Sequence, residues 1–166
     1  MEAGDTLFAS TDAAYAALDD DRLSAYEDFE VVHSFNVHNN KVASFAGTNV
    51  SVQQETLRNR YPDTTDPVVA IHPFTKRPCF FISHLLVREV VGYSQKEGRD
   101  LVMNLVRYIT EERFVFRHRW NEEDLIIFDN IACLHSATGY DYEDQDRLFY
   151  QIIISGQNKA QHGTRG

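Results

Sequence analysis

The sequence predicts an α+β domain, mainly β, with helices packed outside a set of short antiparallel strands. Two features of the 166 residues carry this expectation. The first is one strong helix signal. Ser94, Gln95, Lys96 and Glu97 form a capping box, and Leu101, Val102, Leu105, Val106 and Ile109 follow at helical spacing as one apolar stripe. The second is a succession of short apolar or alternating runs bounded by turn residues.

Gly4, Asp5, Thr6, Leu7 and Phe8 read as a turn entering a short strand. Residues 11–29 read as a helical region, rich in Ala13, Ala14, Ala16, Ala17 and Leu18, with an acidic break at Asp19, Asp20 and Asp21. A strand is expected at 30–35, a long polar loop at 36–50 and a short helix at 51–60, ending before Pro62. Residues 67–72 and 79–83 read as two strands, joined by a connection of hairpin length. After the helix behind Ser94 the chain turns β-rich. In 114–120, Phe114, Phe116 and His118 alternate with Val115, Arg117 and Arg119. Residues 125–128 read as a fully apolar strand, and 147–155 as the last one. One domain is expected over residues 1–156, followed by a polar, frayed tail at 157–166.

Composition narrows the function. Apolar residues make up 43% and charged residues 25%, the balance of a globular chain. The net charge of −9 repels phosphate backbones and anionic membrane surfaces, so neither nucleic acid nor a membrane is an expected partner. No apolar run approaches the roughly 20 residues of a membrane helix. Residues 1–5 carry no signal-peptide pattern. Cys79 and Cys133 are too few for a disulfide framework, and a reducing, cytoplasmic setting is expected.

Few residues announce chemistry. His135 is followed at once by the small residues Ser136, Ala137 and Gly139, so a ligand could approach it closely; it reads either as a metal ligand or as a satisfied side chain. Period two places Arg147, Phe149, Gln151 and Ile153 on one face of the last expected strand. Turned inward, the Arg147 guanidinium needs an anion, and a carboxylate suits its fork. Turned outward, it pairs with Asp144 or Asp146. Thr6 is either a structural turn residue or a hydroxyl donor to a ligand. Asp129 and Asn130 read as a turn with side-chain-to-backbone bonds.

Taken in order, these segments resemble the taurine dioxygenase (TauD/TfdA) family. The resemblance rests on 4–8 with 13–18, on 32–35, on 67–73 with Arg77 and 80–82, on 116–120 with 124–130, and on His135 and Arg147. It implies a double-stranded β-helix, or jelly-roll, core with flanking helices. It also implies an Fe(II)- and 2-oxoglutarate-dependent dioxygenase that hydroxylates a small organic substrate with dioxygen, giving succinate and CO2. By this resemblance His135 is the C-terminal histidine of the iron site. Arg147 pairs with the distal carboxylate of 2-oxoglutarate, and the Thr6 hydroxyl helps hold it.

The chain departs from the family pattern at two places. The family carries His-x-Asp shortly before the Gly-Asp-Thr segment; here Met1 stands three residues before Gly4, and no His-x-Asp occurs downstream. The sequence therefore resembles the C-terminal portion of such an enzyme, and this chain alone is not expected to be competent. The alternative is a silent family member acting as a binding or assembly module. Homo-oligomers are common in the family. The second departure is Gln151, four residues beyond Arg147, where taurine-type members have an arginine for the sulfonate. Gln151, with His84, is the expected substrate-side residue, and taurine is not the expected substrate.

Overall fold

The structure, a computed structural model, describes residues 4–37, 61–139 and 148–154. The loop expected at 36–50 lies mostly outside these residues. The helix expected at 51–60, Arg147 and the 157–166 tail lie wholly outside them.

Strand β1 (Thr6–Ser10) runs without a loop into helix α1 (Thr11–Ala16). Ser10 ends the strand and caps the helix, its side chain accepting from the Ala13 N–H. The acidic run then opens a second helix rather than only closing the first. Asp19 accepts from the Arg22 N–H at 2.9 Å, and Asp20 and Asp21 fill the first turn of α2 (Asp20–Glu27), where the helix dipole favours negative charge.

β2 (Glu30–His33) is the middle strand of an antiparallel sheet. It lies between β3 (Thr64–Pro67) and β6 (Val87–Val90), with a register shift between Val32 and His33. β4 (Val69–Ile71) and β5 (Pro78–Phe80) form the expected hairpin, shorter than the sequence suggests at both strands. Phe80 is fully buried, with Tyr15 and Tyr26 edge-on to it, each at 5.5 Å between ring centroids.

Helix α3 (Gln95–Ile109) follows, with the capping box in place. Val102, Leu105, Val106 and Ile109 are buried, and Leu101 packs partly against the same core. Gly98 lets the helix approach β6: a Cβ there would meet the Val90 side chain at 3.0 Å. Replacing Ser94 by alanine removes the side-chain arm of the box, leaves the backbone N–H arm to Glu97, and is expected to cost about 1 kcal/mol. A urea midpoint that falls at constant m-value checks this.

A 3₁₀ turn (Glu112–Phe114) leads into β7 (Val115–His118), and β8 (Cys133–Ala137) completes a second three-stranded sheet, ordered β7-β1-β8. Here two sequence expectations need correction. The strand lies at 133–137 and carries His135 within it, whereas 125–128 forms no ladder. Residues 148–154 likewise form no strand among the described residues, and every one is exposed. An apolar run reports a preference for burial, but a strand also needs a neighbouring edge. The 133–137 run lies along β1; 125–128 and 148–154 have no such partner among the described residues. Leu125, Ile127, Tyr150 and Ile152 are each more than 80% exposed as a result.

Both cysteines are free. Burial, reinforced by the Asp12 charge, pushes the Cys79 thiol up to about 11. Alkylation of Cys79 in the folded chain at pH 8 is therefore expected to run roughly a hundredfold slower than in urea. Peptide mapping after timed iodoacetamide treatment measures the ratio; equal rates in both states would refute it.

Candidate functional site

The site is built on β1, the middle strand of its sheet. Period two puts Leu7 and Ala9 on the core face and Thr6 and Phe8 on the other. Register then assigns neighbours. Thr6 lies opposite His118 on β7 and Ala137 on β8; Phe8 lies opposite Phe116 and His135. Thr6 and His135 are thus diagonal neighbours on one face, at the spacing of about 7–8 Å usual for such pairs.

This face is aromatic. The His135 ring lies 4.8 Å from Phe128 and 6.5 Å from Phe8 between centroids, and Phe8 and Phe128 are 5.0 Å apart. Its carbons pack against rings, while among the described residues no hydrogen bond reaches its nitrogens. Further along the face Trp120 stands edge-on to His118 at 4.6 Å and to Phe149 at 4.8 Å. The indole Nε1–H donates to the Thr6 hydroxyl at 2.9 Å.

Two acids steady the neighbourhood. Asp124 accepts from the Asn121 N–H at 2.8 Å and pairs with His118 Nε2 at 3.0 Å. The Asn121 N–H is the main cause holding the Asp124 carboxyl below its usual range. On the core side of β1, Asp5 is buried and takes the Arg117 Nε–H at 2.6 Å. That bond ties β1 to β7 beside Thr6.

The approach to β8 is fixed by a buried histidine. His72 Nδ1 accepts the Phe74 and Thr75 N–H groups at 3.3 and 3.1 Å, which leaves the ring proton on Nε2. Nε2 donates to Asp129 Oδ2 at 2.8 Å, and Asp129 Oδ1 accepts the Ile131 N–H at 2.7 Å. Desolvation raises the Asp129 carboxyl, but the Ile131 N–H and His72 outweigh it and hold the group below its ordinary value. The turn read from Asp129 and Asn130 is thus present. Through it the β4–β5 hairpin grips the chain four residues before β8.

Of the residues singled out from sequence, Thr6 and His135 share one sheet face. Arg147 lies outside the described residues. Gln151 is exposed in 148–154, in the segment whose Phe149 reaches Trp120. His84 sits exposed in the turn before β6, which belongs to the other three-stranded sheet. Sequence reasoning passed over Trp120, although its place two residues beyond His118 was a legible signal. It also missed the pairing of His72 with Asp129, 57 residues apart, for which local sequence holds no signal.

The donor set suits an anion better than it completes a metal site. A threonine whose acceptor side is taken by an indole keeps its own proton for a carboxylate. His135 offers one imidazole, and no group of three or more His, Cys, Asp or Glu able to hold a metal occurs among the described residues.

Comparison with known proteins places this arrangement. The alkylsulfatase of Acinetobacter baylyi is 31% identical over 172 residues, covering 98% of this chain and 51% of that protein. The alpha-ketoglutarate-dependent 2,4-dichlorophenoxyacetate dioxygenase of Cupriavidus pinatubonensis is 36% identical over 146 residues, covering 87% of this chain and 48% of its own. The chain thus spans about half the length of the curated relatives it matches. A crystal structure of AAD-2 with Mn(II) and N-oxalylglycine superposes with a TM-score of 0.70 at 27% identity, over 87% of this chain and 54% of that one. Residues 2–152 match the profile of the taurine catabolism dioxygenases, and with it the strands bearing both Thr6 and His135: the chain belongs to the TauD/TfdA family.

Proposed function

We propose that this chain serves an Fe(II)- and 2-oxoglutarate-dependent dioxygenase that hydroxylates a small organic substrate and releases succinate and CO2. Its sheets form part of a double-stranded β-helix, within one domain over residues 1–156. The observation that carries the reading is the shared face of Thr6 and His135, one with a hydroxyl proton and the other with ring nitrogens that no described residue engages.

In this reading His135 supplies one imidazole to the iron, and Arg147 and Thr6 hold the distal carboxylate of 2-oxoglutarate. Bound iron and 2-oxoglutarate supply the oxidising power. The protein's part is placement. Phe8 and Phe128 pack beside the exposed His135 ring and fix its plane. His72 and Asp129 set the entry to the strand that carries it. Gln151 offers an amide on the substrate side, which hydrogen-bonds but does not neutralise a sulfonate.

Alkyl sulfates and aryloxyacetates, the substrate types named for the relatives above, are the candidates to set beside taurine. The test is succinate released from 2-oxoglutarate with each compound in turn, using the chain extended by an upstream His-x-Asp segment. Substrate-dependent succinate supports the reading. Release with taurine but with neither of the other two would reject the role given to Gln151.

A further inference from the structure

We propose that Trp120 is a positioning residue for the co-substrate carboxylate, fixing the Thr6 hydroxyl as a donor. The proposal rests on the co-substrate reading above.

The argument starts from hydrogen-bond inventory. An indole Nε1–H donates and never accepts. At 2.9 Å from Thr6 Oγ1 it therefore takes up an acceptor position of the hydroxyl. A free threonine hydroxyl rotates among several partners. With the indole proton fixed on one side, the Thr6 O–H points away from the indole and is set to donate. A carboxylate accepts and cannot donate, so only this orientation serves it. The same indole stands edge-on to Phe149 at 4.8 Å, and Phe149 is two residues from Arg147. His118 packs against the same indole at 4.6 Å. One side chain thus touches both Thr6 and Phe149, 143 residues apart in the sequence.

The chain has a single tryptophan, so its emission reports on this residue alone. The chain extended by a tryptophan-free segment carrying His-x-Asp, and loaded anaerobically with Fe(II), is titrated with 2-oxoglutarate, read by tryptophan emission and by calorimetry. The expected wild-type result is a saturable emission change matching the calorimetric Kd. Trp120→Phe keeps a ring against Phe149 and removes the N–H; it should weaken binding roughly three- to tenfold. Thr6→Val should weaken it comparably, and the double variant should be no weaker than Thr6→Val alone. Thr6→Ser should restore both affinity and sensitivity to Trp120→Phe.

Independently of ligand, Thr6→Val should shift the emission of the free chain and Thr6→Ser should not, which tests the bond even where Trp120→Phe fails to fold. If Arg147→Ala weakens binding while Trp120→Phe does not, or if the Trp120 and Thr6 effects add, the positioning role is overturned and the co-substrate reading stands. If neither Arg147→Ala nor Thr6→Val changes the affinity, or the wild type shows no saturable binding, the co-substrate reading falls and takes this proposal with it.

Discussion

Residues 1–166, given Fe(II), 2-oxoglutarate and oxygen, are expected to form no succinate at enzyme-like rates, and His135→Ala should abolish the activity of the chain extended by a His-x-Asp segment. Both expectations come from ligand count. Tight Fe(II) binding draws on several ligands held in fixed geometry, and Fe(II) lies low in the divalent affinity series. The described residues bring no group of three metal-holding side chains together, and His135 is one imidazole. In the extended chain, loss of that imidazole should weaken Co(II) or Fe(II) binding by at least about a hundredfold. Anaerobic metal titration reads this directly, beside the succinate assay. Succinate from the 166-residue chain at such rates, abolished by His135→Ala, would reject the ligand count. It would point to an unrecognised carboxylate, with Asp5 and Asp129 the first to test. Asp5 is already engaged by Arg117, and Asp129 by His72, so neither is offered freely.

Arg147→Ala is expected to weaken 2-oxoglutarate binding by about 2–5 kcal/mol, the cost of leaving a desolvated carboxylate without its partner. Arg147→Lys should recover only part of the loss, because an ammonium lacks the two-pronged fork that matches a carboxylate. The loss should appear in calorimetry on the extended chain under anaerobic conditions, before any turnover. Affinity unchanged by Arg147→Ala would reject the assignment.

Where local chemistry dictates structure, the sequence was readable. Ser94 and Glu97 mark the start of α3 by reciprocal bonds within four residues, and Leu105 and Ile109 mark its buried side by spacing alone. The 67–83 hairpin was legible for the same reason, as turn residues sit between two short apolar runs. The 133–137 strand was not. Cys133, Leu134, His135, Ser136 and Ala137 have no strong β pattern; they form a strand because β1 offers a complete edge, a fact stored more than a hundred residues away. The converse error fell on 125–128, where apolar character was strong and no partner edge was present among the described residues. At the site, Thr6 and His135 were legible as chemistry through the order of weak motifs. Their adjacency was legible only from register, and the Trp120 hydrogen bond only from coordinates.

The position of β1 between β7 and β8 also has a consequence for how the chain is made. Thr6 leaves the ribosome ahead of its neighbours His118 and Ala137, which follow 112 and 131 residues later. At about 5–20 residues per second, β1 waits for roughly 6–22 s with both edges bare. Helices α1 and α2, whose bonds are local, can form in that interval; the sheet that carries the candidate site cannot. The site thus assembles only after residue 137 has been made, and β1 is the segment for which chaperones and neighbouring nascent chains compete in the meantime.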